Sequence, residues 1–228
     1  MAWHDRAPDS FTATLWDGIG DVWAEIRAHP FLTGLKDGTL DHRAFVFYVI
    51  QDAHYLREYA RALAVCGARA NDVAGIRMFC EHAAGAIAVE RELHESFFAD
   101  FGLSEADVAA TPMAPTNVAY TSYLLSAAYG GSYAEAVGAV LPCYWIYAEV
   151  GRELLAAGSP DSRYQRWIDT YGGEEFAEVV SQVLDAADAV GPSLSEADRA
   201  AAAHRFTTTS RYEWMFWEMG LRRETWPV

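Results

Sequence analysis

An all-α bundle is the fold class that this 228-residue sequence predicts, and three observations carry it. Apolar residues recur at spacings of three and four through nearly the whole chain, the period of a helix with one buried face. Ser, Asp or Asn stands where many of these runs begin, and Gly or Pro where they end; these are start and stop signals. No pair of alternating segments flanks a hairpin turn, so strand pairing has no support.

Ser10 caps a first helix whose inner face is Phe11, Leu15, Ile19, Val22, Trp23 and Ile26. His29-Pro30 stops it, because a residue before proline avoids the helical region. Lys36 to Thr39 reads as a turn, and Asp41 caps a long second helix through Cys66 to Gly67. Asn71 or Asp72 opens a third helix, running to about Phe101 with Gly102 as its stop. Thr111 to Pro115 reads as a linker, and helices follow over 116–129, 133–157, 160–171, 174–190 and 195–219. Several of these are long and their connections short, the pattern of one compact bundle. Residues 1–228 are expected to form a single domain, since one folding unit commonly holds about 100–250 residues.

Composition narrows the partners. The 32 acidic and 17 basic residues leave a net charge of −15, with no basic cluster. Such a chain repels phosphate, which argues against nucleic acid and anionic membrane surfaces. No apolar run approaches the ~20 residues that span a bilayer, and the opening Met1-Ala-Trp-His-Asp lacks the basic and apolar regions of a signal peptide. Cys66, Cys80 and Cys143 are odd in number and unpaired in spacing, so free thiols in a reducing cytoplasm are expected. The high count of Trp, Tyr and Phe needs a further explanation.

Three positions could carry chemistry. Tyr48, Asp52, Tyr55 and Tyr59 share one stripe of the second helix. An aspartate there either pairs within a structural network or forms the polar floor of a pocket. Cys143 follows Pro142 inside a long helical pattern; it reads either as a small apolar residue or as a thiol beside a kink that opens a pocket. Thr209, Glu213, Phe216 and Gly220 share a face of the last helix. Glu213 is either a surface partner of Arg211 or Arg222, or a buried acid with a raised pKa. Glu81-His82, Glu90-x-x-x-His94 and His204 offer candidate metal ligands, but the Glu-x-x-His repeat of di-iron bundles is absent. No metal is expected.

Taken together, these segments resemble the TenA family (thiaminase II, or aminopyrimidine aminohydrolase) nearly from end to end. The resemblance rests on His29-Pro30-Phe31, Gly38-Thr39-Leu40, Gln51-Asp52 and Tyr55-Leu56 in the first third. The middle adds Asn117-x-Ala119-Tyr120 and Leu141-Pro142-Cys143-x-Trp145-Ile146-Tyr147 with Glu149. Trp167-Ile168-x-x-Tyr171, Phe176 and Ser210-x-Tyr212-Glu213-x-x-Phe216-Trp217 complete it.

That resemblance implies a heme-oxygenase-like all-α fold, assembled as a homotetramer, that needs no cofactor. It implies hydrolysis of thiamin, or of the aminopyrimidine formed when thiamin degrades, to hydroxymethylpyrimidine. Carried over by motif position, Cys143 would be the nucleophile and Glu213 the general acid/base. Asp52 would hydrogen-bond the aminopyrimidine edge, and Tyr55, Tyr120, Tyr147, Tyr171 and Phe216 would line the pocket. Retention of Cys143 favours the cysteine-dependent type. Two other readings stay open: an oxidase on the same scaffold, and a pyrimidine-binding bundle without catalysis.

Overall fold

A computed structural model describes residues 6–228, without the side chains of residues 89–95. Among the described residues every regular element is a helix and no strand occurs. The helices are α1 Phe11–Asp17, α2 Gly20–Arg27, α3 Pro30–Asp37, α4 His42–Arg69, α5 Val73–Phe101 and α6 Glu105–Ala110. They continue as α7 Pro115–Gly130, α8 Tyr133–Ala157, α9 Ser162–Gly172, α10 Glu174–Val190 and α11 Glu196–Arg222. No described helix is long and apolar enough to cross a membrane.

The expected start signals act as caps. The side chains of Ser10, Asp41 and Asp72 each accept a backbone N–H at the start of α1, α4 and α5. Three local readings change. The first helix is two, because Gly18 and Gly20 flank Ile19 and weaken the helical preference there. Ile19 lies outside the helical region at φ −117°, ψ 15°, yet stays fully buried. Pro30 ends one helix and also begins α3, as its first residue, where a missing N–H costs nothing. His29 caps that helix, its Nδ1 accepting from Phe31 N at 3.1 Å. The short α6 follows Gly102 through a capping box in which Ser104 and Asp107 bond each other's backbone.

The second half of the chain organises around α8, which packs against α7, α9, α10 and α11, while α4 packs against α5, α7, α8 and α11. One apolar cluster draws residues from every helix except α6. Two glycines allow α8 its closest approaches. A Cβ on Gly138 would lie 2.6 Å from the Ala202 carbonyl oxygen of α11, and one on Gly151 would strike the Tyr171–Gly172 backbone of α9. Cys143 lies between these two crossings. Pro142 is accommodated inside a helix that runs unbroken through it.

Candidate active site

Five helices converge on one interior site. Helix α4 supplies Asp52, Tyr55 and Tyr59, α7 Tyr120, α8 Cys143 and Tyr147, α9 Tyr171, and α11 Glu213 and Phe216. Asp52 is 5% exposed and Glu213 1%. The surface reading of Glu213 therefore fails, and Arg222 pairs instead with Glu218. Cys143 and Tyr171 are half-buried, and the other residues of the set are buried. Asp52, Cys143 and Glu213 lie close enough for the charge of each carboxylate to act on the thiol, and that of Asp52 on Glu213.

Burial dominates the electrostatics. It pushes Glu213 up to about 8, aided by the Asp52 charge and opposed by a short bond from Tyr120 Oη to Oε1 at 2.5 Å. At neutral pH this carboxyl is therefore mostly protonated. Burial also lifts the Cys143 thiol well above its ordinary range; the Glu213 and Asp52 charges add to the rise, and the Tyr55 and Tyr59 hydroxyls oppose it. The resting thiol is neutral, and it becomes a nucleophile only when its proton has an acceptor.

The predicted wall residues do come together, as two joined aromatic groups. Tyr55 lies 5.0 Å from Tyr120 and 5.3 Å from Phe216, measured between ring centroids. Tyr147 lies 5.0 Å from Tyr171. Tyr48 links the groups, with its ring 5.7 Å from Phe216 and its hydroxyl 3.1 Å from that of Tyr147. The role of Tyr48 as a link was not legible from its place in the stripe. Trp167, 4.7 Å from Tyr171, extends the wall from α9.

A buried clamp next to Asp52 was also missed. Gln51 Nε2 donates to Pro112 O at 2.9 Å, and its Oε1 accepts from Ala114 N at 2.9 Å and from Asn117 Nδ2 at 3.0 Å. Asn117 Nδ2 also donates to the Gln51 carbonyl at 2.8 Å. The clamp holds α4 against the start of α7, fixing the register between Asp52 and Tyr120. Gln51-Asp52 and Asn117 were the signals, but sequence could not show that they touch.

Two of the candidate metal ligands have other partners. Glu81 pairs with Arg77, and His82 lies between Tyr144 and Gln182. The side chains of Glu90 and His94 lie outside the described residues. Among the described residues no three His, Cys, Asp or Glu side chains gather where an ion could be held. The surface clefts beside Gly158 and along α2, α3 and α8 share no residue with the interior site.

A helical bundle that gathers a thiol, two carboxyls and several tyrosines in its interior is the class of protein that this fold and site define. The chain belongs to the TENA/THI-4/PQQC family, whose model matches residues 16–223. The aminopyrimidine aminohydrolase of Bacillus subtilis (strain 168) is 36% identical over 216 residues, covering 95% of this chain and 92% of that protein. The thiamine biosynthesis multifunctional protein ThiED of Corynebacterium efficiens is 37% identical over 213 residues, which are 93% of this chain but 28% of that protein. The chain thus spans less than a third of that longer relative. A TenA homologue from P. horikoshii OT3 matches with a TM-score of 0.85 at 31% identity, over 93% of this chain and 99% of that one. A domain with a heme oxygenase-like fold from Shewanella denitrificans OS217 matches with a TM-score of 0.74 at 15% identity, over 93% and 92%. The expected heme-oxygenase-like all-α fold is thereby shown.

Proposed function

We propose that this chain hydrolyses the C–N bond between the 5-methylene carbon of an aminopyrimidine and its leaving group, giving hydroxymethylpyrimidine. The leaving group is ammonia for the aminomethyl compound and thiazole for thiamin. The observation that carries the reading is the buried Glu213 carboxyl, accepting from Tyr120 Oη and close enough for its charge to act on the Cys143 thiol.

A pyrimidine becomes a good electrophile once a ring nitrogen is protonated, and a carboxyl with a pKa of about 8 can supply that proton near neutrality. The Cys143 sulfur then adds to a ring carbon and dearomatises it. Loss of the leaving group gives an exocyclic methylene, water adds there, and departure of the thiolate restores the ring. Asp52 orients the amino edge by hydrogen bonding. The Tyr55–Tyr120–Phe216 and Tyr147–Tyr171 rings stack on the heterocycle and attract the cationic thiazolium of thiamin.

The test is release of hydroxymethylpyrimidine from each substrate by purified protein, followed chromatographically. Cys143→Ser and Glu213→Gln are each expected to lower kcat by about 10²–10⁴-fold with thermal stability retained. Asp52→Asn is expected chiefly to raise KM. Full activity in Cys143→Ser would overturn the covalent route, and tight pyrimidine binding without turnover would overturn the hydrolase reading. The same proposal takes residues 1–228 as one domain, supported by the shared apolar cluster. It also takes the protein as a cytoplasmic homotetramer, with light scattering after size exclusion as the check on assembly.

A further inference from the structure

Helix α5 is apolar on two faces. Its inner face, where Gly75 and Phe79 are buried, packs against α4. A surface helix ordinarily turns polar residues outward, yet the outer face of α5 presents Val73, Ile76, Cys80, Ala84 and Ile87, all exposed. Val73 is 80% exposed, Ile76 43% and Ile87 52%. At about 100° per residue these positions fall within an arc of roughly 80°, so they form one continuous stripe. The stripe borders α4, where a Cβ on Gly67 would lie 3.1 Å from Cys80 Sγ and where Ala64 and Ala68 are exposed. A contiguous apolar surface of this kind marks a site of association.

We propose that this stripe is a contact between two copies of the chain, paired antiparallel about a two-fold axis beside Cys80. The stripe is its own complement. In that register Val73 meets Ile87 of the second copy, Ile76 meets Ala84, and Cys80 meets Cys80, as a contact made by the same patch on both copies requires. The charges agree with it. Arg77 and Glu81 share the flank of the stripe that faces away from α4, are both exposed, and bond each other at 2.6 Å. In an antiparallel pair each flank of a helix meets the same flank of its partner. Arg77 of one copy then lies only about 3 Å along the axis from direct opposition to Glu81 of the second copy, so two separate ion pairs become a network of four groups.

Charge also selects the occupant. Each chain carries −15, so two copies repel across most of their surfaces. Between Val73 and Ala88 the only Lys, Arg, Asp or Glu residues are Arg77 and Glu81, which cancel. This is a face on which two acidic chains can meet without repulsion, and it offers no net charge to a strongly basic or acidic partner. The contact deepens the reading of the protein as an assembly of identical chains and rests on self-association. It assigns one of the two-fold contacts of that assembly to a named helix face.

The test uses the purified full chain at low micromolar concentration. Bismaleimidoethane, a short linker between two thiols, should join most chains into covalent dimers, with peptide mass spectrometry finding Cys80 linked to Cys80. Cys80→Ser should abolish the link. Ile76→Glu combined with Ile87→Glu should halve the mass measured by light scattering after size exclusion, with far-UV ellipticity retained because both side chains are exposed. Arg77→Glu alone should raise the dissociation constant by about tenfold, and Arg77→Glu with Glu81→Arg should return it to within about threefold of the wild type. A wild type of monomeric mass would overturn the contact and the assembly reading together. A tetramer whose Cys80 stays unlinked and whose mass survives the double isoleucine change would overturn the α5 contact alone. A wild-type dimer linked through Cys80 would support the contact and overturn the tetramer.

Discussion

Burial acts on Glu213 and Cys143 in the same direction, with different chemical consequences. It keeps the carboxyl as a proton donor near neutrality, and it withholds the thiolate until a base accepts its proton. For an acid, a folded-state pKa above the unfolded value means that the native state binds the extra proton. The resulting stabilisation is complete below the ordinary carboxyl range and is lost as pH rises toward about 8. Glu213→Gln removes that dependence. Its melting temperature is expected to gain on the wild type steadily from about pH 5 to pH 8, then to run parallel, as scanning calorimetry would show. Product formation by the wild type should fall above about pH 8 as the acid ionises. Tyr120→Phe deletes the bond that favours the ionised carboxylate, so the alkaline limb of its pH–rate profile should move upward. Residue positions were the most legible level: Asp52, Cys143, Glu213 and the five wall aromatics stand out by motif and meet in space. Their protonation was not legible, because it depends on how deeply five helices bury them.

At the scale of the element, the four longest helices, α4, α5, α8 and α11, were readable because a Ser or Asp side chain caps the start of each. The misreadings fall where signals overlap. Pro30 serves as both a stop and a first helical residue, and Gly18 and Gly20 divide a face whose apolar spacing continues across them. Helix α6 is short enough that its capping box outweighs any periodicity. Close helix crossings leave another mark, in glycines that look unremarkable in sequence. Gly151→Ala is expected to destabilise the protein by about 1–3 kcal/mol, because its methyl group meets backbone rather than a mobile side chain. Since α9 carries Trp167 and Tyr171, its displacement should also raise KM more than it lowers kcat. Gly85→Ala on α5 is the control. Its added methyl group meets nothing within 4 Å, and better helix propensity should stabilise the protein by about 0.5–1 kcal/mol in urea unfolding.

For the whole molecule, the decisive property is that no single helix or adjacent pair contains the site. Asp52 and the Gln51 clamp come from α4, Tyr120 from α7, Cys143 from α8, Tyr171 from α9 and Glu213 from α11. Helices α4, α7, α8, α9 and α11 all contribute to the same apolar cluster. Sequence reasoning could place each residue on a helix face but could not say which faces meet, because that is decided by docking and by close approaches such as those at Gly138 and Gly151. The site should therefore form and dissolve with the bundle rather than as a separate, weaker unit. In a urea titration, loss of hydroxymethylpyrimidine release and loss of far-UV ellipticity are expected to share one midpoint, the mark of a cooperative transition. Activity lost at clearly lower urea would instead place α9 or the start of α7 among locally unstable segments. In that case Gln51→Ala, which removes the clamp on Pro112, Ala114 and Asn117, should widen the gap between the midpoints; if the bundle is cooperative, it should lower both together.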